Sequence, residues 1–478
     1  MLHRPALLSA ASSSIALAVA ALLAACTTVG PDYAGAPATA ASGPLARAAQ
    51  PGIANAAAPV AAAWWQSLGD ATLDALVARA LADSPDLHAA QARLRESRAA
   101  YELQQADQQP TSSASALALG LSSGPGTAAA QHLHFYTAGF DASWEIDLFG
   151  GTRRAVESAA ARADAVQADL ADAQVALAAE VVRAYADLRA RERDLALKRE
   201  LAALDAQSLA LTQQRTQRGV DSGLELERER ERGIASARAA AEAERDLTIA
   251  RDRLALLCGQ PAGALDAQLG AAPAALPRVP DVVAVGDVTA LLQQRPDIRA
   301  AERRLAASTA QIGQRKAAYF PKLSLLGDIG LGATEPGQLF KRSSLVLLGA
   351  PYLSWNVADF GRTAANVRQA EAGRDEAQAR YQASVLQALN DANTALARYG
   401  QQRRSFASLR EQQDAAARGL ELTTQRRRAG VATELDLLDA QRALLEAREQ
   451  SLSAEAELLQ DFASLHKSLG LGWQAGGG

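Results

Sequence analysis

The sequence predicts an α plus β fold: long paired α-helices carrying two β-hairpins, with the whole unit written twice. Three observations predict it. Of 478 residues, 49% are hydrophobic but only 4% aromatic, so thin side chains on closely packed helices are favoured over a thick globular core. No Gly or Pro interrupts the chain between Gly151 and Gly219, which leaves about 66 residues of helix, roughly 100 Å at 1.5 Å per residue. Finally, Trp144-Glu-Ile-Asp-Leu-Phe149-Gly150-Gly-Thr152 returns as Trp355-Asn-Val-Ala-Asp-Phe360-Gly361-Arg-Thr363, every matched pair standing 211 positions apart. The same spacing relates Pro85 to Pro296, Pro110 to Pro321, Gly219 to Gly430 and Gly259 to Gly470. No gap is needed, so this is a duplicated domain and not a solenoid.

Each element follows in order. His3 and Arg4 precede an apolar run to Ala25, which reads as a secretory signal over residues 1–25. A cysteine directly after Leu23-Ala24-Ala25 resembles the bacterial lipobox. That implies cleavage before Cys26 and acylation of its sulfur; a signal peptide with an unrelated cysteine is the other reading. Thr27 in the next position implies sorting to the outer membrane. Residues 26–63, rich in Ala, Pro and Gly, form an extended linker.

The first copy spans 64–259. Trp64-Trp65 opens a short helix to about Ala82. Ser84, Pro85 and Asp86 suit the cap, first position and first turn of the next helix, which runs to Gln109 and stops at Pro110. A hairpin covers 111–148. Its second strand, 135–148, sets Tyr136, Phe140 and Trp144 against Thr137, Asp141 and Glu145 with period two. Its first, 113–121, is weaker, with Leu117, Leu119 and Leu121 on one side. Long helices fill 152–258, with a reversal at Arg218–Gly223.

A linker at 260–281 leads to the second copy, 282–470. Its hairpin covers 322–358 and its long helices 363–469. Leu438, Leu445, Leu452 and Leu459 recur every seven residues, the mark of a coiled-coil seam. Residues 471–478 form a flexible tail.

The chemistry is sparse. A net charge of −4 leaves no basic excess for nucleic acid. Cys258 reads as a small buried residue. No CxxC, nucleophile motif or histidine pair at metal spacing occurs. No enzyme activity, cofactor or metal is therefore expected.

Two hairpins give four strands, too few to close a barrel, and lipid does not tolerate open edges. Either the hairpins are soluble, with Trp144 and Trp355 as core anchors, or several chains pool strands, with these tryptophans at the membrane–water interface.

Further motifs carry a resemblance. Gln294-Arg-Pro-Asp-Ile-Arg-Ala-Ala-Glu302, Ala318-Tyr-Phe-Pro-Lys-Leu323, Gly30-Pro-Asp-Tyr33 after Cys26, Asp359-Phe-Gly-Arg362 and Leu435-Asp-Leu-Leu-Asp-Ala-Gln-Arg442 are similar to the outer membrane factors of the TolC/OprM type, in the NodT-like lipoprotein branch. The resemblance covers nearly the whole mature chain.

It implies a homotrimer with a twelve-stranded outer-membrane barrel and a periplasmic coiled-coil tunnel. The implied function is an exit duct docked on a periplasmic adaptor and an inner-membrane pump of the RND class. Trp144, Phe149, Gly150, Trp355, Phe360 and Gly361 would mark the barrel–tunnel junction. Arg215, Gly219 and Val220, with Arg426, Gly430 and Val431, would form the tips that meet the adaptor, although the glycines also suit helix ends. Asp436 and Asp439 would ring the periplasmic gate; pairing with a helix start is their other reading. Gly151 stands where the second copy and the family carry arginine (Arg362), which implies fewer polar contacts at the first corner. The alternatives are a duct for type I protein secretion and a periplasmic coiled-coil scaffold lipoprotein.

Overall fold

The computed structural model describes residues 28–37, 43–55, 62–122, 132–270, 275–285, 287–289, 292 and 295–473. The expected signal peptide, Cys26, the hairpin tip at 123–131 and residues 474–478 lie outside these. The chain divides into two compact units.

The first unit comprises Met1–Pro37, Arg93–Gln167 and Ala300–Gln382. It holds one four-stranded antiparallel sheet in the order β2-β3-β5-β6. β2 is Thr111–Ser122, β3 His132–Ile146, β5 Lys322–Ala333 and β6 Leu345–Ser354. β2 and β5 begin and end 211 positions apart, and both hairpins share one register: Thr111 faces Ser143 as Lys322 faces Ser354. The central pairing joins the two copies, from Tyr136↔Ala333 to Ile146↔Leu323. β2 and β6 are each paired on one side only.

The second unit comprises Ala38–Ala92, Ala168–Arg299 and Ala383–Gly478. β1 (Ile53–Asn55) pairs in parallel with β4 (Val283–Val285). The helices are α1 (Ala71–Asp83), α2 (Pro85–Ala106), α3 (Gly151–Gln217), α4 (Gly223–Leu257), α5 (Pro296–Ala317), α6 (Arg362–Arg428) and α7 (Glu434–Ser468). Among them α2, α3, α5 and α6 contribute residues to both units. No helix among the described residues is long and apolar enough to cross a membrane.

The core of this unit is small-residue packing around a few large anchors. Ala178, Ala179, Ala392 and Ala463 are fully buried beside Tyr185, Tyr399 and Phe462. The copies exchange volumes here. Tyr185 and Leu188 on α3 correspond to Leu396 and Tyr399 on α6, all four buried, so each copy keeps one large and one medium side chain. Trp64 stacks on His466 at 4.6 Å and meets Phe462 edge-on. The seam residues Leu438, Leu445, Leu452 and Leu459 are all buried.

Several expected boundaries shift. The helix expected from Trp64 splits into a 3₁₀ turn (Trp64–Leu68), left-handed Gly69 and then α1, capped by the Asp70 carboxylate on Thr72 and Leu73 amides. α2 ends at Ala106, and tight turns carry the chain to Pro110. β3 ends at Ile146 and β6 at Ser354, so 147–148 and 355–358 belong to the corners. The two stretches read as linkers are packed. Leu45 and Ala48 from one, and Leu265, Leu269 and Leu276 from the other, lie buried in the second unit's core.

Candidate functional site

The strand register sorts side chains onto two faces. One carries Phe140, Trp144, Leu325, Ile329, Leu347 and Leu353 in paired rows, with alanines and glycines between. All six are exposed in the single chain. Each large apolar group would gain about 1.5–3 kcal/mol by leaving water, and an apolar patch of this extent marks a partner surface.

The other face carries Asp141, Glu145, Lys322 and Asp328, with Lys322 Nζ 3.1 Å from a Glu145 oxygen. Leu117, Leu119 and Leu121 pair with Thr137, Phe135 and Leu133. They therefore lie on this second face, opposite Phe140 and Trp144. Read in isolation, β2 shows only its leucines; its contribution to the apolar face is Ala114, Ala116 and Ala118.

The two corners share a tie. The Trp144 indole donates to the carbonyl of Gln108 at 2.9 Å, and Trp355 donates to Tyr319 at 3.0 Å, each across 36 residues. Both acceptors stand two residues before the proline that opens a strand. Gly150 and Gly361 have φ of 79° and 85°, which a glycine adopts without strain. Phe149 stacks on Phe320 at 4.5 Å, whereas Phe360, at φ 51°, is fully exposed.

A carboxylate caps the long helix at each corner, one register position apart. Asp147 accepts from the Arg153 amide, and Asp359 accepts from the Gly361 and Thr363 amides. The Thr363 hydroxyl, and then those amides, hold the Asp359 carboxyl below the usual range.

Sequence reading missed the strap at Thr28–Pro37, and it corrects the expectation of a polar-poor first corner. The Val29 amide donates to the Phe149 carbonyl at 3.0 Å. Arg154, itself buried, reaches the Val29 carbonyl and the Asp32 and Glu157 carboxylates. Tyr33 donates to Glu302 at 2.6 Å. Burial, and then that carboxylate, push the phenol's pKa up. Gly30 crosses Gly313 so closely that a methyl on Gly30 would stand 2.3 Å from the Gly313 Cα. The signal was present in Gly30, Asp32 and Tyr33, but nothing in a one-dimensional reading says that they touch α5.

At the tips, α3 and α6 end alike. Val220 donates to the Arg215 carbonyl and Gly219 to Thr216, while Val431 donates to Arg426 and Gly430 to Arg427. This is the six-to-one, five-to-two closure that needs a left-handed residue, supplied by Gly219 and Gly430 at φ 73° and 76°. Val220 and Val431 are left exposed. The tips differ in one clamp. Arg215 grips Asp221 with two bonds of 2.7 and 2.8 Å, raising its own pKa and lowering that of the carboxyl; the matching position 432 is alanine.

Asp436 and Asp439 are both exposed. Asp436 completes a capping box, accepting from the Thr433 amide at 2.7 Å and from its hydroxyl at 2.8 Å. These bonds, together with Arg426, lower its pKa. Ser222 and Glu225 form the same box at the first tip. Asp439, one turn on, has no such duty.

Comparison with known proteins gives a consistent result. The family model described as outer membrane efflux protein matches residues 76–260 and 288–471. The outer membrane protein OprJ of Pseudomonas aeruginosa is 31% identical over 420 residues, covering 86% of this chain and 87% of that one. The pyoverdine export outer membrane protein OpmQ of Pseudomonas putida is 33% identical over 424 residues, covering 86% and 88%. The solved outer-membrane channel OprN superposes with a TM-score of 0.84 at 36% identity, covering 93% of this chain and 99% of that one.

Proposed function

The chain belongs to the outer membrane efflux protein family, and from that premise we propose a duct whose wall several copies of it build together. It is the outer-membrane channel component of an efflux system, a passive exit for cargo that a pump has already selected. In this reading three chains give twelve strands to one barrel, and their long helices form a tunnel in the periplasm. A periplasmic adaptor and an RND-type inner-membrane pump complete the path. One relative is named for pyoverdine export, and small molecules are accordingly the proposed cargo.

The observation that carries the reading is the sheet: one face without a charge, the other carrying Asp141, Glu145, Lys322 and Asp328 among apolar groups, and both edges unpaired. In lipid every backbone donor and acceptor needs a partner, so the edges must close. The apolar face then meets acyl chains, and Asp141, Glu145, Lys322 and Asp328 meet the aqueous lumen. Trp144 and Trp355 fall at the interface, where their rings suit the headgroups. Acylation of Cys26 would anchor each copy in the lipid. The tips at Arg215–Val220 and Arg426–Val431 meet the adaptor, and Asp436 and Asp439 ring the entrance.

The test is purification in detergent followed by planar-bilayer recording. A trimer with discrete ohmic currents is expected. A water-soluble monomer without currents, once Cys26 is replaced by serine, would overturn the reading in favour of a periplasmic scaffold.

A further inference from the structure

We infer that the tip of the second hairpin, residues 334–344, docks on the phosphate groups of lipid in the outer leaflet, through Lys341 and Arg342 with Phe340 beside them. The inference rests on the outer-membrane duct proposed above and adds to it the lipid that the far rim of that duct takes up.

The strands set the depth of this tip. Both corners face the periplasm in that reading, so the hairpin ends lie at the opposite rim. Trp144 and His134 stand ten positions apart on β3, about 33 Å along a strand and about 25 Å in height at a tilt of about 40°. The apolar band of an outer-membrane barrel is about as tall. His134 and Tyr136 share the face of Phe140 and Trp144 by period two, and their rings stack at 6.4 Å. Tyr136 pairs with Ala333, the last residue of β5. The aromatic pair thus marks the upper rim as the tryptophans mark the lower one, and the turn after Ala333 begins at headgroup depth.

The tip is a built turn. Two short 3₁₀ segments, Pro336–Gln338 and Arg342–Ser344, follow one another. The Gln338 carbonyl accepts from the Lys341 amide at 3.0 Å and from the Ser344 hydroxyl at 2.7 Å. Ser344 is buried and Leu339 half-buried, whereas the neighbouring Phe340 is 84% exposed. A backbone tied in this way holds out a ring that gains by leaving water.

The cations of the tip lack a counterpart in the protein. Within 111–140 and 329–354, which include both hairpin tips, the only charged residues are Glu335, Lys341 and Arg342. The Glu335 carboxylate accepts from the Gln338 side-chain amide at 2.9 Å. Lys341 and Arg342 are exposed and make no ion pair among the described residues. The first tip of a neighbouring copy, carrying no charge, offers them no carboxylate. The counter-charge available at this depth is lipid phosphate, which lysine meets as a point charge and arginine through paired N–H donors. An exposed aromatic ring beside two basic groups suits the boundary between acyl chains and anionic headgroups.

Retention of labelled lipid tests this. The full-length, lipidated protein in a phosphorus-free detergent is mixed with lipid A radiolabelled in its acyl chains, or with the same lipid stripped of its phosphates, and freed of unbound lipid by gel filtration. A basic residue beside an anionic surface contributes about fivefold in affinity, so Lys341→Gln/Arg342→Gln should bind the phosphorylated lipid about 30-fold more weakly. Removing the phosphates should bring wild type down to the level of the double variant. Phe340→Ser should weaken both lipids alike, by about tenfold. All variants should still conduct in planar bilayers, since the substitutions lie outside the strands and helices that build the wall.

Equal retention by wild type and the double variant overturns the inference. Release of the lipid by millimolar inorganic phosphate also overturns it, by making the tip a site for a free anion. A chain that conducts and retains no lipid loses this inference alone; a water-soluble chain without currents loses the duct as well.

Discussion

Arg442→Ala should destabilise the helical unit by about 3–5 kcal/mol, because it strands a buried carboxylate. Arg442 on α7 reaches both oxygens of Asp205 on α3, at 2.9 and 3.0 Å. The Asp205 side chain is 4% exposed, and that of Arg442 21%. Water therefore cannot replace the guanidinium when it is removed. The second contact of Arg442, to Glu446 at 3.2 Å, is an exposed pair one turn along the same helix and adds only about 0.2–0.5 kcal/mol.

Removing both partners of the buried pair is a different perturbation, since no charge is then left unpaired. Asp205→Ala/Arg442→Ala should accordingly recover much of the loss. The assay is urea unfolding of wild type, both single variants and the double, followed by circular dichroism in one detergent, with the coupling taken from the cycle. A single-variant cost below about 1 kcal/mol, the range of surface pairs, would refute the reasoning.

Other predictions follow from the same contacts. Asp436→Ala with Asp439→Ala should raise conductance or lower cation selectivity in planar bilayers. Asp439→Ala alone should change the currents without loss of stability, because only Asp436 caps α7; unchanged currents in both would remove these residues from the gate. Gly30→Ala should dislodge the strap, since its methyl meets the backbone of Gly313; faster cleavage near Thr28 by added protease would register this, and wild-type resistance would contradict it. Burial holds the His466 imidazole neutral down to a pKa of about 4. Between about pH 6.5 and 4 the unfolded chain then binds a proton that the folded one does not. Stability is full above that window and falls on acidification by about 1.4 kcal/mol per unit; His466→Gln should flatten that slope in a series of urea midpoints.

The helices and the duplication were legible because they are periodic. Leu438, Leu445, Leu452 and Leu459 mark their own buried seam, and Gly219 and Gly430 mark their own turns. Strand faces were legible where charge alternates, as at Asp141 and Glu145. At Leu117, Leu119 and Leu121 the alternation was legible but not the face it joins, because the face of β2 is set by its partner and not by its own composition. The packing of Leu265, Leu269 and Leu276 was hidden by the prolines around them, since proline marks a break in regular structure but says nothing about burial. The strap was illegible for a similar reason: Asp32 and Arg154 stand more than 100 residues apart, and only tertiary structure joins them.

The central pairing of the sheet also sets an order of events. Each hairpin closes over a short span, with Leu121 facing Leu133 and Leu331 facing Leu345. The β3–β5 pairing closes a far larger loop, since Trp144 and Leu325 stand 181 positions apart. Chain entropy makes such a closure slow, unless the intervening 67-residue helix α3 and its partner α4 have already folded back. Helical hairpins therefore come first and the joined sheet later. A newly exported chain would then hold its helical hairpins before its sheet is joined, and completion of the sheet would wait on the slowest contact in the molecule.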